Sequence, residues 1–181
     1  DQAKLGLMLS KRKQKSIASD RSENVIDRAK HDLGRNQYID LRVSDGLENI
    51  KENEADTLVL AGMGTHTMLE ILSKTNLRFK KIITISNNYH NILREKMNDF
   101  NYKVDKELII EDAGKLYNLI VFVEGQRKYT EKELLLGLNH IDEDMYKKYI
   151  NFLFEKYTNI KKSSQDKNEQ IDKILEHINS L

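Results

Sequence analysis

The chain contains no cysteine, no proline and no tryptophan among its 181 residues. Without cysteine it has no disulfide, no thiolate zinc site and no cysteine nucleophile, and because nothing indicates an oxidising compartment we expect a cytoplasmic protein. No apolar run approaches the roughly 20 residues of a membrane span, so we expect no membrane association. The five histidines are scattered without the spacing of a metal site, and we predict no metal. The absence of proline, in a sequence rich in lysine, asparagine and isoleucine, indicates genome bias.

Charges of the two signs are nearly balanced. Thirty basic and 29 acidic residues give a net charge of +1, so any nucleic-acid surface must be a local patch. Basic clusters occur at 11–15, 80–81, 127–128, 147–148 and 161–162. Solvated surface charge is the usual interpretation of any one such cluster. The length suffices for one full core with a small appendage.

Strands and helices alternate through the first hundred residues. Hydrophobic patterning predicts strands at 15–20, 39–44, 56–61 and 80–86, and helices at 23–33, 65–74 and 91–100. A helix is also predicted at the start, where four apolar residues share one face: Ala3, Leu5, Met8 and Leu9. A doubly wound sheet would need a strand and its glycine turn before that helix, and we expect them upstream of Asp1. The short connections favour right-handed crossovers and a parallel sheet.

The alternation ends in a hairpin. Two apolar runs, at 103–110 and 116–123, flank a loop at 111–115 and are predicted to pair in antiparallel fashion. A mostly parallel sheet closed by such a hairpin is typical of class I S-adenosylmethionine methyltransferases, whereas dinucleotide dehydrogenases keep their strands parallel. The predicted fold is therefore α/β, with a Rossmann-like methyltransferase domain over residues 1–125.

After Gly125 the sequence becomes helical and strongly charged. Apolar residues recur at spacings of four and three in two segments: Tyr146, Ile150, Leu153, Tyr157 and Ile160, then Ile171, Ile174, Ile178 and Leu181. A polar break at 161–166 separates the segments. The pattern predicts a coiled-coil-like helical hairpin as a second domain, residues 126–181, in which each apolar stripe covers the other. The alternative is that this tail packs on the sheet domain.

Three of the predicted strands end in an acidic or glycine turn: Asp20, Asp45-Gly46 and Ala61-Gly62-Met63-Gly64. The carboxyl ends of parallel strands form the ligand-binding edge of such a sheet. A carboxylate there accepts hydrogen bonds from ribose hydroxyls or an adenine amino group. We therefore predict a nucleoside-containing cofactor, with Asp20 bound to the ribose and Asp45 bound to the adenine.

These residues also have purely structural interpretations. Asp20 would cap a helix that begins near Ser22, because aspartate is a favoured N-cap residue. Asp45-Gly46 would form only a tight turn. Gly62 and Gly64 would serve close packing or positive φ angles, with Met63 in the core. For the glycines the structural and functional interpretations are compatible.

Motifs in the order of a known family run through the chain. They are Asp1-Gln2-Ala3, Ile17-Ala18-Ser19-Asp20, Arg42-Val43-Ser44-Asp45-Gly46-Leu47, Ala61-Gly62-Met63-Gly64, Glu111-Asp112, Gly114-Lys115-Leu116-Tyr117 and Tyr129-Thr130-Glu131-Lys132-Glu133-Leu134. With these motifs the chain resembles the TrmK-type bacterial tRNA methyltransferases over nearly its whole length. The resemblance implies S-adenosylmethionine as cofactor, tRNA as partner, and methylation at N1 of adenine 22.

The resemblance adds Gln2 to the cofactor-binding residues already named, although the sequence departs from the family in four places. Gln2 stands where histidine is usual, and Thr65 replaces the second glycine of the family's Gly-Met-Gly-Gly. Ile85-Ser86-Asn87 stands where Gln-Pro-Asn is common, and Ala113 is an additional residue in the hairpin turn.

Methylation of adenine N1 needs no strong base, because that nitrogen has a free lone pair and alignment supplies most of the rate. The product is cationic, so a carboxylate or amide oxygen beside the base would stabilise the developing charge. Asp1 and Asn87 are the candidate catalytic residues, and Asn87 is equally explained as a helix N-cap. Tyr89 is a candidate for stacking on a flipped base or an ordinary surface tyrosine.

Two further functions stay open at the level of sequence. One is a non-catalytic RNA-binding protein with a degenerate methyltransferase fold, which the changes at Thr65 and Ser86 would allow. The other is a small-molecule methyltransferase, in which the helical tail would have no obvious role.

Overall fold

The computed structural model describes residues 3–163 and 168–181. The chain divides into two compact units. The first unit comprises Asp1–Asp56 and Ile71–Phe79, and the second comprises Thr57–Glu70 and Lys80–Leu181. The domain boundary that we placed between residues 125 and 126 stays a prediction.

The first unit is built on a parallel pair of strands. Its elements are helix α1 (Lys4–Lys11), strand β1 (Ser16–Asp20), helix α2 (Glu23–Leu33) and strand β2 (Ile39–Val43). The two strands pair in register from Ser16 opposite Ile39 to Asp20 opposite Val43. Since both strands run in the same direction, Asp20 and the turn after Val43 lie at the same edge.

Helix α1 is present, but its apolar face is not its buried face. Leu5 is 49% exposed and Met8 is 64% exposed, whereas Gly6 and Ser10 are the buried residues of the helix. A Cβ on Gly6 would lie 3.2 Å from Ser16 Oγ. The Ser10 hydroxyl accepts a hydrogen bond from the Asn36 amide at 3.1 Å. Small residues therefore face the strands because the helix backbone approaches them closely.

The second unit contains a four-stranded mixed sheet. Its elements are strand β3 (Thr57–Met63), helix α3 (Thr65–Ser73, whose last residues belong to the first unit), strand β4 (Lys81–Ser86), helix α4 (His90–Lys96), a 3-10 turn (Met97–Phe100), and strands β5 (Tyr102–Asp112) and β6 (Lys115–Glu124). The strand order is β3-β4-β6-β5, with β3 and β4 parallel and β6 antiparallel to both of its neighbours. The predicted antiparallel closing hairpin is confirmed, but the described strands form two sheets rather than one.

The β5–β6 hairpin turn is tighter than the sequence indicated. We expected a loop over 111–115, but pairing continues to Asp112 opposite Lys115 and leaves only Ala113 and Gly114 in the turn. Both have positive φ angles, 48° and 75°, as a two-residue hairpin turn with right-handed strand twist requires. The additional Ala113 is thus accommodated within the turn itself.

The tail is helical and packs on the second unit's sheet. Helix α5 (Glu131–Leu136) begins with a capping box between Thr130 and Glu133, and helices α6 (Glu143–Ser163) and α7 (Glu169–Asn179) follow. One buried cluster joins strand β5, helix α5 and both long helices: Ile109, Leu136, Tyr149, Ile150, Leu153, Ile174 and Ile178. The two helices cover each other and also the sheet, so both interpretations of the tail apply.

A buried ion pair connects helix α4 to strand β5. Arg94 donates to both carboxylate oxygens of Glu107, at 2.8 and 2.7 Å, and its remaining terminal nitrogen donates to the Leu134 carbonyl at 2.6 Å. Glu107 also accepts from the Leu138 backbone at 3.2 Å. Because each nitrogen of the guanidinium donates and both carboxylate oxygens accept, the charges are tolerated in the core and fix helix α5 beside the sheet.

Candidate active site

In the first unit, Asp20 ends β1 at the carboxyl edge of the strand pair. Its backbone carbonyl accepts from Ser44 N at 2.9 Å, which continues the β1–β2 pairing by one residue. Its Oδ1 accepts from Ser22 N at 2.8 Å, but the N-cap residue of α2 is Ser22, so the interpretation of Asp20 as the cap is wrong. The other carboxylate oxygen accepts no hydrogen bond within the described residues. Asp20 therefore has one oxygen held in place and one available to a ligand.

Asp45 follows β2 at the same edge, in a turn that its neighbours hold rigidly. Ser44 is buried, and its hydroxyl accepts from Asn49 N at 3.0 Å and donates to the Gly46 carbonyl at 3.2 Å. A Cβ on Gly46 would meet the Ile71 side chain at 3.1 Å, so glycine lets the turn approach that residue. The Asp45 side chain is exposed and bonds to no other described residue.

Arg42 stabilises the rest of the loop after β2. Its Nη1 donates to the Asn49 carbonyl at 2.8 Å and to Glu54 at 2.6 Å. Hydrogen bonding to this guanidinium lowers the pKa of the Glu54 carboxyl to about 2. The loop that carries Asp45 is thus closed by charged groups at its far end.

In the second unit, β3 ends in the Ala61–Gly64 segment with a bulge. Ala61 pairs with Ile85 and Met63 pairs with Ser86, which leaves Gly62 without a partner in β4. Gly62 has a φ of +77°, a conformation that only glycine adopts readily. Ala61 and Gly62 are exposed, and Met63 is half-buried rather than a core residue as its structural interpretation supposed. The bulge leaves exposed backbone at the end of this strand.

A buried hydroxyl network joins the ends of β3 and β4. Thr65 Oγ1 lies 2.8 Å from Ser86 Oγ and donates to the Asn88 carbonyl at 2.7 Å. The Asn88 side chain accepts from Thr65 N at 3.3 Å. Thr65 and Ser86 are two of the residues at which the sequence departs from the family, and their structural role was not predicted from the sequence. The signal was a hydroxyl residue at the end of each of two adjacent parallel strands.

Asn87 and Tyr89 lie on the loop that this network holds. Asn87 N donates to the Met63 carbonyl at 3.1 Å, while its side chain is exposed and makes no hydrogen bond within the described residues. The N-cap of α4 is Tyr89, so the interpretation of Asn87 as the cap is wrong. Tyr89 is exposed, and its ring lies 5.5 Å from that of His66. His90 bonds the Ser86 carbonyl at 3.0 Å, and burial lowers its pKa.

The predicted site residues Asp1 and Gln2 lie outside the described residues. Within the described ranges 3–163 and 168–181, no group of three or more potential metal ligands is found. No helix in this part of the chain has both the length and the apolar character to cross a bilayer.

Several of the predicted basic clusters are already used inside the protein. Lys148 pairs with Glu111 at 2.6 Å, and Lys161 pairs with Asp172. Arg127 pairs with Glu133, which belongs to the α5 capping box. The cluster at 11–15 is exposed and forms no ion pair among the described residues. The clusters therefore differ in whether their charge is free for a partner.

The mixed sheet with an antiparallel closing hairpin is typical of a class I, Rossmann-like methyltransferase fold. A methyltransferase domain model matches residues 1–120, and the chain belongs to that family.

Comparison with individual proteins supports the resemblance. A tRNA (adenine(22)-N(1))-methyltransferase of Bacillus subtilis is 32% identical over 142 residues, which cover 76% of this chain and 60% of the relative. The chain thus spans about 60% of the length of this curated relative.

Two solved structures show the same fold. A Streptococcus pneumoniae putative tRNA (m1A22) methyltransferase in complex with S-adenosyl-L-methionine has a TM-score of 0.84 at 22% identity, over 99% of this chain and 87% of that one. The TrmK of M. capricolum in complex with S-adenosyl-homocysteine has a TM-score of 0.78 at 23% identity, over 99% and 84%.

Proposed function

We propose that the protein is an S-adenosylmethionine-dependent methyltransferase that modifies N1 of adenine 22 in tRNA. The observation that carries this proposal is the 32% identity, over 142 residues, to a relative named as a tRNA (adenine(22)-N(1))-methyltransferase. The available polar groups at the strand ends, described above, support it.

The residues at the strand ends fit the cofactor chemically. The unused oxygen of Asp20 is suited to accept hydrogen bonds from ribose hydroxyls. The exposed carboxylate of Asp45 is suited to accept a hydrogen bond from the adenine amino group. In the second unit, the exposed backbone at Ala61 and Gly62 offers peptide groups for hydrogen bonding. Gly46 shapes the turn after β2, and Met63 and Gly64 shape the turn after β3. Gln2 is assigned to this site by the resemblance alone.

When bound, the cofactor supplies an electrophilic methyl group on a positively charged sulfur. The protein's task is to hold the adenine so that its N1 lone pair points along the line of transfer, which needs position rather than a base. Positive charge develops on the ring as N1 is methylated. The amide oxygen of Asn87, exposed after β4, is suited to accept a hydrogen bond from the 6-amino group and so to stabilise that charge. Asp1 is proposed for the same task.

The alternative of a non-catalytic RNA-binding protein loses its main support. It rested on the residues at positions 65 and 86, but these hydroxyls hold the Asn87 loop in an ordered network. They therefore do not indicate a decayed site.

The test uses labelled S-adenosylmethionine with unmodified tRNA and, separately, with a small-molecule extract. We expect the full-length protein to transfer label to tRNA only. Cofactor binding without transfer would support the RNA-binding alternative, and transfer to a small molecule alone would support a metabolite methyltransferase.

A further inference from the structure

Tyr89 has a backbone conformation that helix formation does not explain. It is the N-cap of α4 with φ 51° and ψ 44°, in the left-handed region, and its side chain makes no capping hydrogen bond. N-caps are usually serine, threonine, aspartate or asparagine in extended backbone. The tyrosine backbone is strained here, and the side chain contributes nothing to the cap.

The conformation is imposed by the surrounding loop. Thr65 and Ser86 fix the Asn88 carbonyl, and the Met63 carbonyl fixes Asn87 N. Local strain that neighbouring elements maintain is typical of functional sites. The hydroxyl network therefore keeps a strained tyrosine in one position.

The tyrosine ring is presented to solvent with a second ring beside it. Tyr89 is 54% exposed, and the His66 ring, from the first turn of α3, lies 5.5 Å away at an interplanar angle of 53°. The two rings come from the residues that follow β3 and β4, which is the edge where ligands bind in such sheets. The exposed Asn87 amide precedes Tyr89 by two residues on the same loop.

We infer that Tyr89, supported by His66, is the stacking surface for the target base, and that Asn87 contacts the edge of that base. The inference rests on the proposed function and names the substrate-binding residues of its acceptor side. An enzyme that acts on a base takes it out of its stack and holds it against aromatic side chains. A rigid, exposed ring next to a free amide supplies both the face and the edge contact that an adenine needs.

The first test is kinetic and uses the full-length protein. Tyr89→Ala keeps a Cβ, and with it the backbone strain, but removes the ring. We expect this variant to lose about 5- to 140-fold in kcat/KM for tRNA, which corresponds to the energy of stacking a base on an aromatic ring. Its Kd for S-adenosylhomocysteine should be unchanged. Tyr89→Phe is the matched control and should stay within about twofold of the wild type because the ring face remains. His66→Ala should give a smaller loss of the same sign.

The second test is a binding cycle that needs no turnover. Binding of the wild type and Tyr89→Ala is measured by anisotropy with tRNA that carries either adenine or an abasic site at position 22. If the ring stacks on the base, the abasic site weakens binding of the wild type more than it weakens binding of the variant, which keeps only the Asn87 contact. Thermal unfolding verifies that the variant is folded.

The outcomes separate this inference from the proposed function. A wild type that methylates adenine 22, combined with equal effects of the abasic site in both proteins, would overturn the stacking role alone. A wild type that neither binds tRNA nor methylates it would overturn both.

Discussion

At the scale of single residues, the two strand-end aspartates of the first unit differ in how much of each carboxylate is already bonded. One carboxylate oxygen of Asp20 accepts a hydrogen bond from Ser22 N. Asp45 is exposed and makes no side-chain hydrogen bond among the described residues. A substitution at Asp45 therefore tests binding without touching the fold, while one at Asp20 changes both.

We expect Asp45→Ala to weaken S-adenosylhomocysteine binding by about 1.5–3 kcal/mol, the range for a hydrogen bond to a charged group. The melting temperature should stay near that of the wild type. Calorimetric titration measures the affinity. Asp20→Ala is the comparison: it should lose affinity and also about 0.5–1.5 kcal/mol of stability, because the hydrogen bond from Ser22 N to the Asp20 carboxylate is lost. Wild-type affinity in Asp45→Ala would remove this residue from the cofactor site.

The Thr65 hydroxyl gives a second prediction at this scale. Thr65→Val keeps the shape but leaves the Ser86 hydroxyl and the Asn88 carbonyl without this partner, at a cost of about 1–3 kcal/mol in the free energy of unfolding. Thr65→Ser keeps the hydroxyl and should cost less. Urea unfolding measures both. Equal stability of the valine and wild-type proteins would contradict a structural role for the network.

Sequence reasoning reached Asp20 but not Thr65, and the physical reason is distance along the chain. The Asp20 carboxylate bonds a backbone N–H only two positions away, which is a local contact that a strand-end aspartate before a helix indicates. Thr65 and Ser86 are 21 residues apart and meet only because β3 pairs with β4. Without that pairing, both residues look like departures from a family pattern.

At the scale of elements, the strands and helices lie close to their predicted positions because each carries a clear period. Helix α2 covers the predicted residues, and β4 differs by one residue. The buried face of α1 differs from its apolar face because close packing against the strands requires the small residues Gly6 and Ser10, which carry no hydrophobic signal. The hairpin turn was shorter than predicted because polar residues 111–112 still pair in the ladder. Hydrophobic patterns do not show either effect.

The segment between α5 and α6 carries a histidine that links stability to pH. The His140 ring stacks on Tyr146 at 3.9 Å, and Arg94 and Glu107 are the charges that act on it. Burial lowers the pKa of His140 below its ordinary 6.5, with Glu107 and the Leu136 carbonyl opposing this effect and the charge of Arg94 adding to it. The folded state therefore binds a proton less readily than the unfolded state.

The contribution of His140 to the free energy of unfolding should therefore be fully present above about pH 6.5. It should be lost as the pH falls towards the lowered pKa. His90, whose pKa is also lowered, acts in the same direction. His140→Phe keeps a ring against Tyr146 and removes one titration, so its stability should depend less on pH. Urea unfolding between about pH 5 and 7.5 measures this above the range where carboxylates titrate. Identical slopes in variant and wild type would refute the linkage.

At the scale of the whole molecule, the helical tail is part of the second unit's core. Ile150 and Leu153 of α6 and Ile174 of α7 share one cluster with Ile109 of β5. We therefore expect deletion of 142–181 to unfold this unit rather than to isolate an RNA-binding arm. Charge substitutions that spare the cluster are the better probe of tRNA binding.

Lys147 and Lys162 are the matched pair for that probe. Lys147 has only a distant exposed partner, Asp144 at 3.9 Å, and Lys162 forms no ion pair within the described residues. Glutamine at both should reduce the salt slope of tRNA binding by about 1 for each phosphate that the lysine had neutralised. Glutamine at Lys148 and Lys161 is the control: it breaks internal pairs and should cost about 1 kcal/mol or less of stability each. An unchanged slope in the first variant would leave the tail without a role in tRNA binding.

Methyl transfer to N1 of adenine 22 is tested by locating the new methyl group within the tRNA. A methyl group on N1 blocks Watson–Crick pairing and stops reverse transcription, so primer extension on tRNA treated with protein and S-adenosylmethionine locates it. We expect one new stop at adenine 22, which is absent without the cofactor and absent from a transcript with guanine at that position. Cofactor-dependent label in tRNA without a stop at adenine 22, or no label in tRNA at all, would show that the protein is not an adenine 22 N1-methyltransferase.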